Sequence, residues 1–321
     1  MKQWIPSTAW LYRRPGRKRR KAFSASPPVI LSGGFACLIL LGTLLLKLPF
    51  ATEQPITWLE SLFTATSAVT VTGLVVVDTG ATYTPFGMGI LALLIQAGGL
   101  GFMTFAVLAA ISIGGHVGMQ HQVLAKEAMQ QTSLASIGRT AKAVVSLALI
   151  VEAIAIIGLT LTWWQEKGFI DAFAESIFYA ISAFNSAGFV LSPNGIVDYA
   201  SSVPVNLIIS ILFVIGGLGF SVITNIYEKR RWYKFSVYTR AILWATLIIN
   251  VLSVAIIWLL EMNNPATFAN LSFGDQAMAA WFQATTPRSA GFNTVDTGAM
   301  TDASAVYTML LMLIGGGSMS T

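Results

Sequence analysis

The chain has 321 residues, of which 55% are hydrophobic and only 10% charged, less than half the roughly 25% charge of an ordinary soluble domain. That composition excludes a water-soluble globular protein and describes an integral membrane one. One cysteine, Cys37, and two histidines rule out an intrachain disulfide and leave metal catalysis almost without ligands, while the 19 basic and 14 acidic residues, net +5, are unevenly placed.

In chain order, residues 1–28 form a tail that carries eight basic residues before Ser24. Spans long enough for a bilayer core of about 30 Å follow at 29–48, 87–113, 143–164, 205–227 and 241–260, and a sixth begins at Ala303. The first is a retained helix rather than a cleaved signal peptide, because no small-x-small site follows it. Alternating spans place the tail, 114–142 and 228–240 on one side, with 8, 3 and 5 of the 19 basic residues. The excess of Lys and Arg makes that side cytoplasmic. The opposite side holds eleven acids, among them Glu60, Asp78, Glu175, Glu261 and Asp296, against three bases, and such a mouth concentrates cations. Topology and anionic lipid account for the basic tail. Nucleic-acid binding is excluded, since no aromatic-interleaved domain accompanies the charge.

Between the spans of each successive pair lies a related segment: WLESLFTATSAVTVTGLVVVD (58–78), AFAESIFYAISAFNSAGFVLS (172–192) and QAMAAWFQATTPRSAGFNTVD (276–296). With Gly73, Gly188 and Gly291 aligned, an aromatic stands ten residues earlier (Phe63, Phe178, Trp281) and a hydroxyl six earlier (Ser67, Ser182, Thr285). Glycine clusters at Gly98-Gly99-Leu100-Gly101, Gly216-Gly217-Leu218-Gly219 and Gly315-Gly316-Gly317-Ser318 begin 25, 28 and 24 residues beyond the aligned glycines. The predicted fold is therefore all-α, in tandem units of span, re-entrant loop and span around a central cation pore: 29–113, 143–227 and 241–321, joined by linkers 114–142 and 228–240.

Each loop is too short to cross and too apolar for water, which describes a re-entrant segment; non-helical backbone at that depth must be buried or line a water-filled path. Thr70, Val71, Thr72 and Gly73, then Asn185, Ser186, Ala187 and Gly188, then Ser289, Ala290 and Gly291 are predicted to coordinate a dehydrated monovalent cation through backbone carbonyls. The glycine serves because it reaches positive φ cheaply. Arg288, beside them, is expected to turn from the axis and bond loop carbonyls or an acid. The glycine clusters serve close helix contact or a bend in the inner pore. Glu152, inside a span, is expected to pair with Lys142 or a water.

TVTGL (70–74), NSAGF (185–189), PRSAGF (287–292), QAGGLGFMTFAVL (96–108) and VDTG (77–80) resemble the Trk/Ktr/HKT superfamily of potassium transporters, most closely the KtrB-type membrane subunits of Ktr systems. The likeness runs from about Pro27 to Thr321. It implies four such units around one pore, transport of K⁺ with Na⁺ as a possible activator, no organic cofactor, a homodimer in the cell membrane, and a cytosolic nucleotide-binding ring of the KtrA type docking at 114–142 and 228–240. It also implies an intramembrane gating loop, to which Gly315, Gly316, Gly317, Ser318, Ser320 and Thr321 correspond. The rest of that loop and a fourth unit are expected beyond Thr321, making this chain a piece of a longer protein or a non-conducting remnant. A secondary transporter with alternating access is a weaker alternative, because its usual sign is an inverted repeat and these units run parallel. No catalytic triad, paired intramembrane carboxylates or metal cluster suggests an enzyme.

Overall fold

The computed structural model describes residues 27–101, 134–192 and 195–317. The basic tail, the end of the second span, residues 114–133 of the first linker, and Ser318, Ser320 and Thr321 lie outside the described residues. Among those described, every regular element is helical; the only β pairing is an isolated bridge between Thr52 and Tyr83.

The first unit is α1 (Pro27–Leu46), α2 (Trp58–Val69), a single turn α3 (Thr79–Thr82) and α4 (Pro85–Gly99). Helix α2 starts where it does because Thr57 and Glu60 form a capping box: the Glu60 N–H donates to Thr57 Oγ1 (3.2 Å) and the Thr57 N–H to Glu60 Oε2 (2.6 Å). The same Thr57 N–H holds the Glu60 carboxyl below its ordinary range. Asp78 caps α3, and Thr84 caps α4 with Pro85 in its first turn. The second unit is α5 (Leu134–Lys167), α6 (Phe169–Phe184), α7 (Val203–Gly217) and α8 (Phe220–Lys229). The third is α9 (Val237–Glu261), α10 (Phe273–Thr285) and α11 (Asp302–Ile314), whose starts are capped by Ser236, Ser272 and Thr301. In each unit the short second helix packs on the first, α2 on α1, α6 on α5 and α10 on α9.

Residues Ala143–Lys167 and Val237–Glu261 are each long and apolar enough to cross a membrane. The stretch 205–227, read from sequence as one span, is broken into α7 and α8. The chain bends by 95° between α7 and α8, because Gly219 takes φ +86° at the start of α8. Helices α4, α7 and α11 have 15, 15 and 13 residues, about 20–22 Å at about 1.5 Å per residue, so each stops short at its glycine cluster. Rows of exposed apolar side chains (Leu40, Leu44, Ile150, Ile157, Leu247, Val251) face outward, as lipid contact requires. Exposed Tyr227, Trp232, Tyr233 and Trp244 accompany the basic residues of 228–240, the pairing found at a membrane–water boundary.

Glu261, one of the acids assigned to the outer side, is buried at the end of α9. Its carboxylate accepts from the Thr301 N–H (2.9 Å), Thr301 Oγ1 (2.8 Å), Thr267 Oγ1 (2.5 Å) and Asn264 Nδ2 (2.8 Å), tying α9 to the start of α11. Glu261→Ala strands these donors and is expected to cost about 3 kcal/mol, readable as a lower Tm in detergent; an unchanged Tm would show the network to be dispensable.

Candidate functional site

The segments after α2 and α6 share one backbone path. Each helix ends four residues before its glycine, at Val69 and Phe184. Val71 and Ser186 then take φ +54° and +56°, and Gly73 and Gly188 φ +77° and +68°. The Thr72 N–H donates to the Ser67 carbonyl (2.9 Å) and the Ala187 N–H to the Ser182 carbonyl (2.7 Å), closing matching turns. Two non-glycine residues at positive φ, at the same offset in separate units, are a backbone strain worth a few kcal/mol, tolerated where the fold over-determines it.

The third segment reaches the same glycine by another route. Pro287 has no N–H for the helical ladder, so α10 ends at Thr285, a 3₁₀ turn covers Thr286–Arg288, and Ser289 continues the turn at φ −164°, ψ −18°. Gly291 nonetheless takes φ +73°. This displaces the aligned hydroxyl. Ser182 Oγ donates to the Phe189 carbonyl (2.8 Å), one residue past the glycine, and the counterpart in the third unit is Thr286, not Thr285: Thr286 Oγ1 donates to the Phe292 carbonyl (2.7 Å). Thr285 bonds back to Trp281 and Phe282 in its own helix.

The three segments converge in cyclic order. A Cβ built on Gly73 would come within 2.4 Å of the Ala187 carbonyl oxygen, and one on Gly188 within 2.9 Å of the Ala290 oxygen. The carbonyls preceding Gly188 and Gly291 thus each lie against the glycine of the preceding unit. Outside the strands the order repeats: Gly80 abuts the Leu191 carbonyl, Gly99 the Asn185 amide and Gly217 the Ser289 hydroxyl. Aromatics run the same way, from each unit into the one before it. Phe178 and Phe189 complete the core of the first unit, and Phe282 and Phe292 that of the second, with Trp281 Nε1 donating to Ser210 Oγ at 3.0 Å. Phe189 and Phe292 are 0% and 1% exposed, whereas Leu74, at the same position in the first unit, is 60% exposed. On the facing side, the nearest described atom to a Cβ on Gly291 is Gly188 Cα at 3.6 Å. Among the described residues, therefore, the ring is open between its third and first units.

Burial follows that arrangement. Asn185, Ser186 and Ala187 of the middle strand are buried, Thr70 and Thr72 are exposed, and Arg288 and Ser289 are half-buried beside buried Ala290. Arg288 turns from the strand as expected: Nε donates to the Gly315 carbonyl (3.1 Å) and Nη1 to Asn250 Oδ1 (3.2 Å). The Gly317 N–H donates to the Gly217 carbonyl (2.7 Å). Gly315 thus lies beside the third strand, and Gly316, Asn250 and Arg288 help to line an adjoining cavity of about 20 Å³ that has room for about one water. The glycine clusters serve contact and bend together, since a Cβ on Gly98 would meet the Val69 oxygen at 2.1 Å.

The expected Lys142 partner of Glu152 is not among the described side chains, and the donor that is described, Gln96 Nε2 at 3.1 Å, was not anticipated. Sequence reasoning passed over Gln96 and Asn250, although each is a lone amide in an apolar helix. It also missed Thr286, which has no signal apart from the proline beside it.

Residues 29–321 match the TrkH family, described as a cation transport protein. The chain belongs to that family. Among its relatives, the TrkH-family chain is 42% identical over 296 residues to Ktr system potassium uptake protein B of Bacillus subtilis, covering 92% of this chain and 66% of that protein. It is 38% identical to the protein of the same name from Vibrio alginolyticus, covering 96% and 68%. The chain spans about two thirds of the length of these curated relatives. In fold it is similar to the crystal structure of the potassium transporter TrkH from Vibrio parahaemolyticus, with a TM-score of 0.66 at 22% identity, over 94% of this chain and 59% of that one. The family and the all-helical membrane fold expected from the motifs are borne out.

Proposed function

We propose that this chain forms the ion-conducting wall of a potassium uptake system in the cell membrane, with Gly73, Gly188, Gly291 and the residues before them acting as its selectivity filter. The observation that carries this is the convergence of three positive-φ glycines, with the Ala187 and Ala290 carbonyls each lying against the glycine of the preceding unit. Backbone carbonyls held in this way exchange for the hydration shell of K⁺ at little reorganisation cost. The names of the relatives support K⁺ as the ion. A fourth wall of the same construction would meet Leu74 and Gly291 on the open side. Gly315, Gly316 and Gly317 begin a gate beneath the filter, which Ser318, Ser320 and Thr321 continue. The N-terminus lies in the cytoplasm. The working unit is a homodimer with a KtrA-type nucleotide-binding ring docked at 114–142 and 228–240, and Na⁺ activates it.

Expression in cells lacking their own K⁺ uptake tests this. Growth at low K⁺ is expected to be restored and to improve with added Na⁺. Insertion into the membrane without rescue, in the presence of the ring subunit, would overturn the conducting role.

A further inference from the structure

The end of α6 is held by a relay of polar side chains that crosses between two units. Asn185 is fully buried and is the hinge at which α6 becomes filter strand, followed by Ser186 at φ +56°. Asn185 Nδ2 donates to the Ile181 carbonyl (2.9 Å) in its own helix and to Gln96 Oε1 (2.6 Å) on α4 of the first unit. Gln96 Nε2 donates in turn to Glu152 Oε2 (3.1 Å) on α5. Gly99 closes the far side, since a Cβ there would meet Asn185 Oδ1 at 2.2 Å. The matching residues of the other units are supported differently: Thr70 Oγ1 bonds to its own helix at Thr66, and Arg288 to Gly315.

An amide can face either way, but an ionised carboxylate only accepts. Glu152, 3% exposed, accepts from Gln96 Nε2, and in that orientation Gln96 offers its oxygen to Asn185. That orientation points Asn185 Nδ2 at Gln96 and Ile181 and its oxygen at Gly99. A carboxylate inside an apolar span is expensive, and nothing in helix packing alone calls for one here.

We propose that Glu152 is a positioning residue for ion selectivity, acting through Gln96 on Asn185 to fix the direction in which the second filter strand leaves its helix. This rests on the filter reading above, so the two are tested separately. In the full chain, purified in detergent, K⁺ is expected to raise Tm at lower concentrations than Na⁺ does; no such difference in the unmodified protein would sink the filter reading itself. Glu152→Leu is then expected to reduce the ratio of half-effective Na⁺ to K⁺ concentrations about fivefold, the scale of one hydrogen bond, with Glu152→Gln, which can also donate, falling between. In a Gln96→Leu background the Glu152→Leu change is expected to have no additional effect, as residues in one relay are non-additive. A folded Glu152→Leu protein with an unchanged ratio, or effects of the two substitutions that simply add, would overturn the proposal. If Glu152→Leu does not fold, Glu152→Gln alone and combined with Gln96→Leu decides by the same criteria.

Discussion

Gly73→Ser is expected to lower discrimination of K⁺ over Na⁺ more than Gly188→Ser, and Gly188→Ser more than Gly291→Ser. All three glycines sit at φ between +68° and +77°, where an L side chain costs roughly 1–2 kcal/mol, so the common strain predicts equal losses. The neighbours break the tie. A Cβ at Gly73 would press on the Ala187 carbonyl at 2.4 Å, one at Gly188 on the Ala290 carbonyl at 2.9 Å, and one at Gly291 would meet nothing described nearer than 3.6 Å. A backbone carbonyl cannot step aside as a flexible side chain can, so the first two substitutions displace the groups assigned to coordination. Competition of Na⁺ with Rb⁺ uptake measures the effect. A loss of roughly tenfold or more at Gly73 is expected, corresponding to about 1.4 kcal/mol. Equal losses at all three positions would mean that strain alone matters, and unchanged selectivity would remove the filter assignment.

Arg288→Leu is expected to raise resting Rb⁺ flux severalfold. The guanidinium holds Gly315 by its Nε bond to the Gly315 carbonyl, while Gly317 is held by the Gly217 carbonyl. A hydrogen bond to a charged group contributes about 1.5–3 kcal/mol, so its loss shifts the loop toward release. Arg288→Lys is not expected to restore the latch, because one ammonium on a flexible stem does not reproduce the fork that spans Gly315 and Asn250. Flux lost rather than raised in a stably inserted Arg288→Leu protein would show that the arginine supports the conducting path instead of closing it.

Much of this architecture is readable before folding. The three-unit division and the aligned glycines follow from spacing, because Gly73, Gly188 and Gly291 all take positive φ at the same place in their units. Caps are equally local: Thr57 with Glu60, Asp78, and Asp296, which accepts from the Gly298 N–H, sit where sequence puts them. Most of what was not legible involves a partner distant in the chain. Glu261 is buried because Thr301 lies 40 residues away in sequence and beside it in space, and Glu152 accepts from Gln96, 56 residues back; Thr286 was missed for a local reason, since Pro287 shortens α10.

The sequence by itself determined the solvent of this protein, its repeat and the residues at which the backbone turns, because apolar content, period and φ preference are properties of short stretches. Tertiary structure alone decided the order in which the units clasp one another, each glycine against the next unit's carbonyl and each aromatic in the previous unit's core. It also decided that, among the described residues, Leu74 and Gly291 face an open side, and that a buried carboxylate connects to the end of α6 through an amide on a different helix. Such relations depend on where helices from separate units cross, and burial at those crossings leaves a polar group only the partners that the crossing supplies.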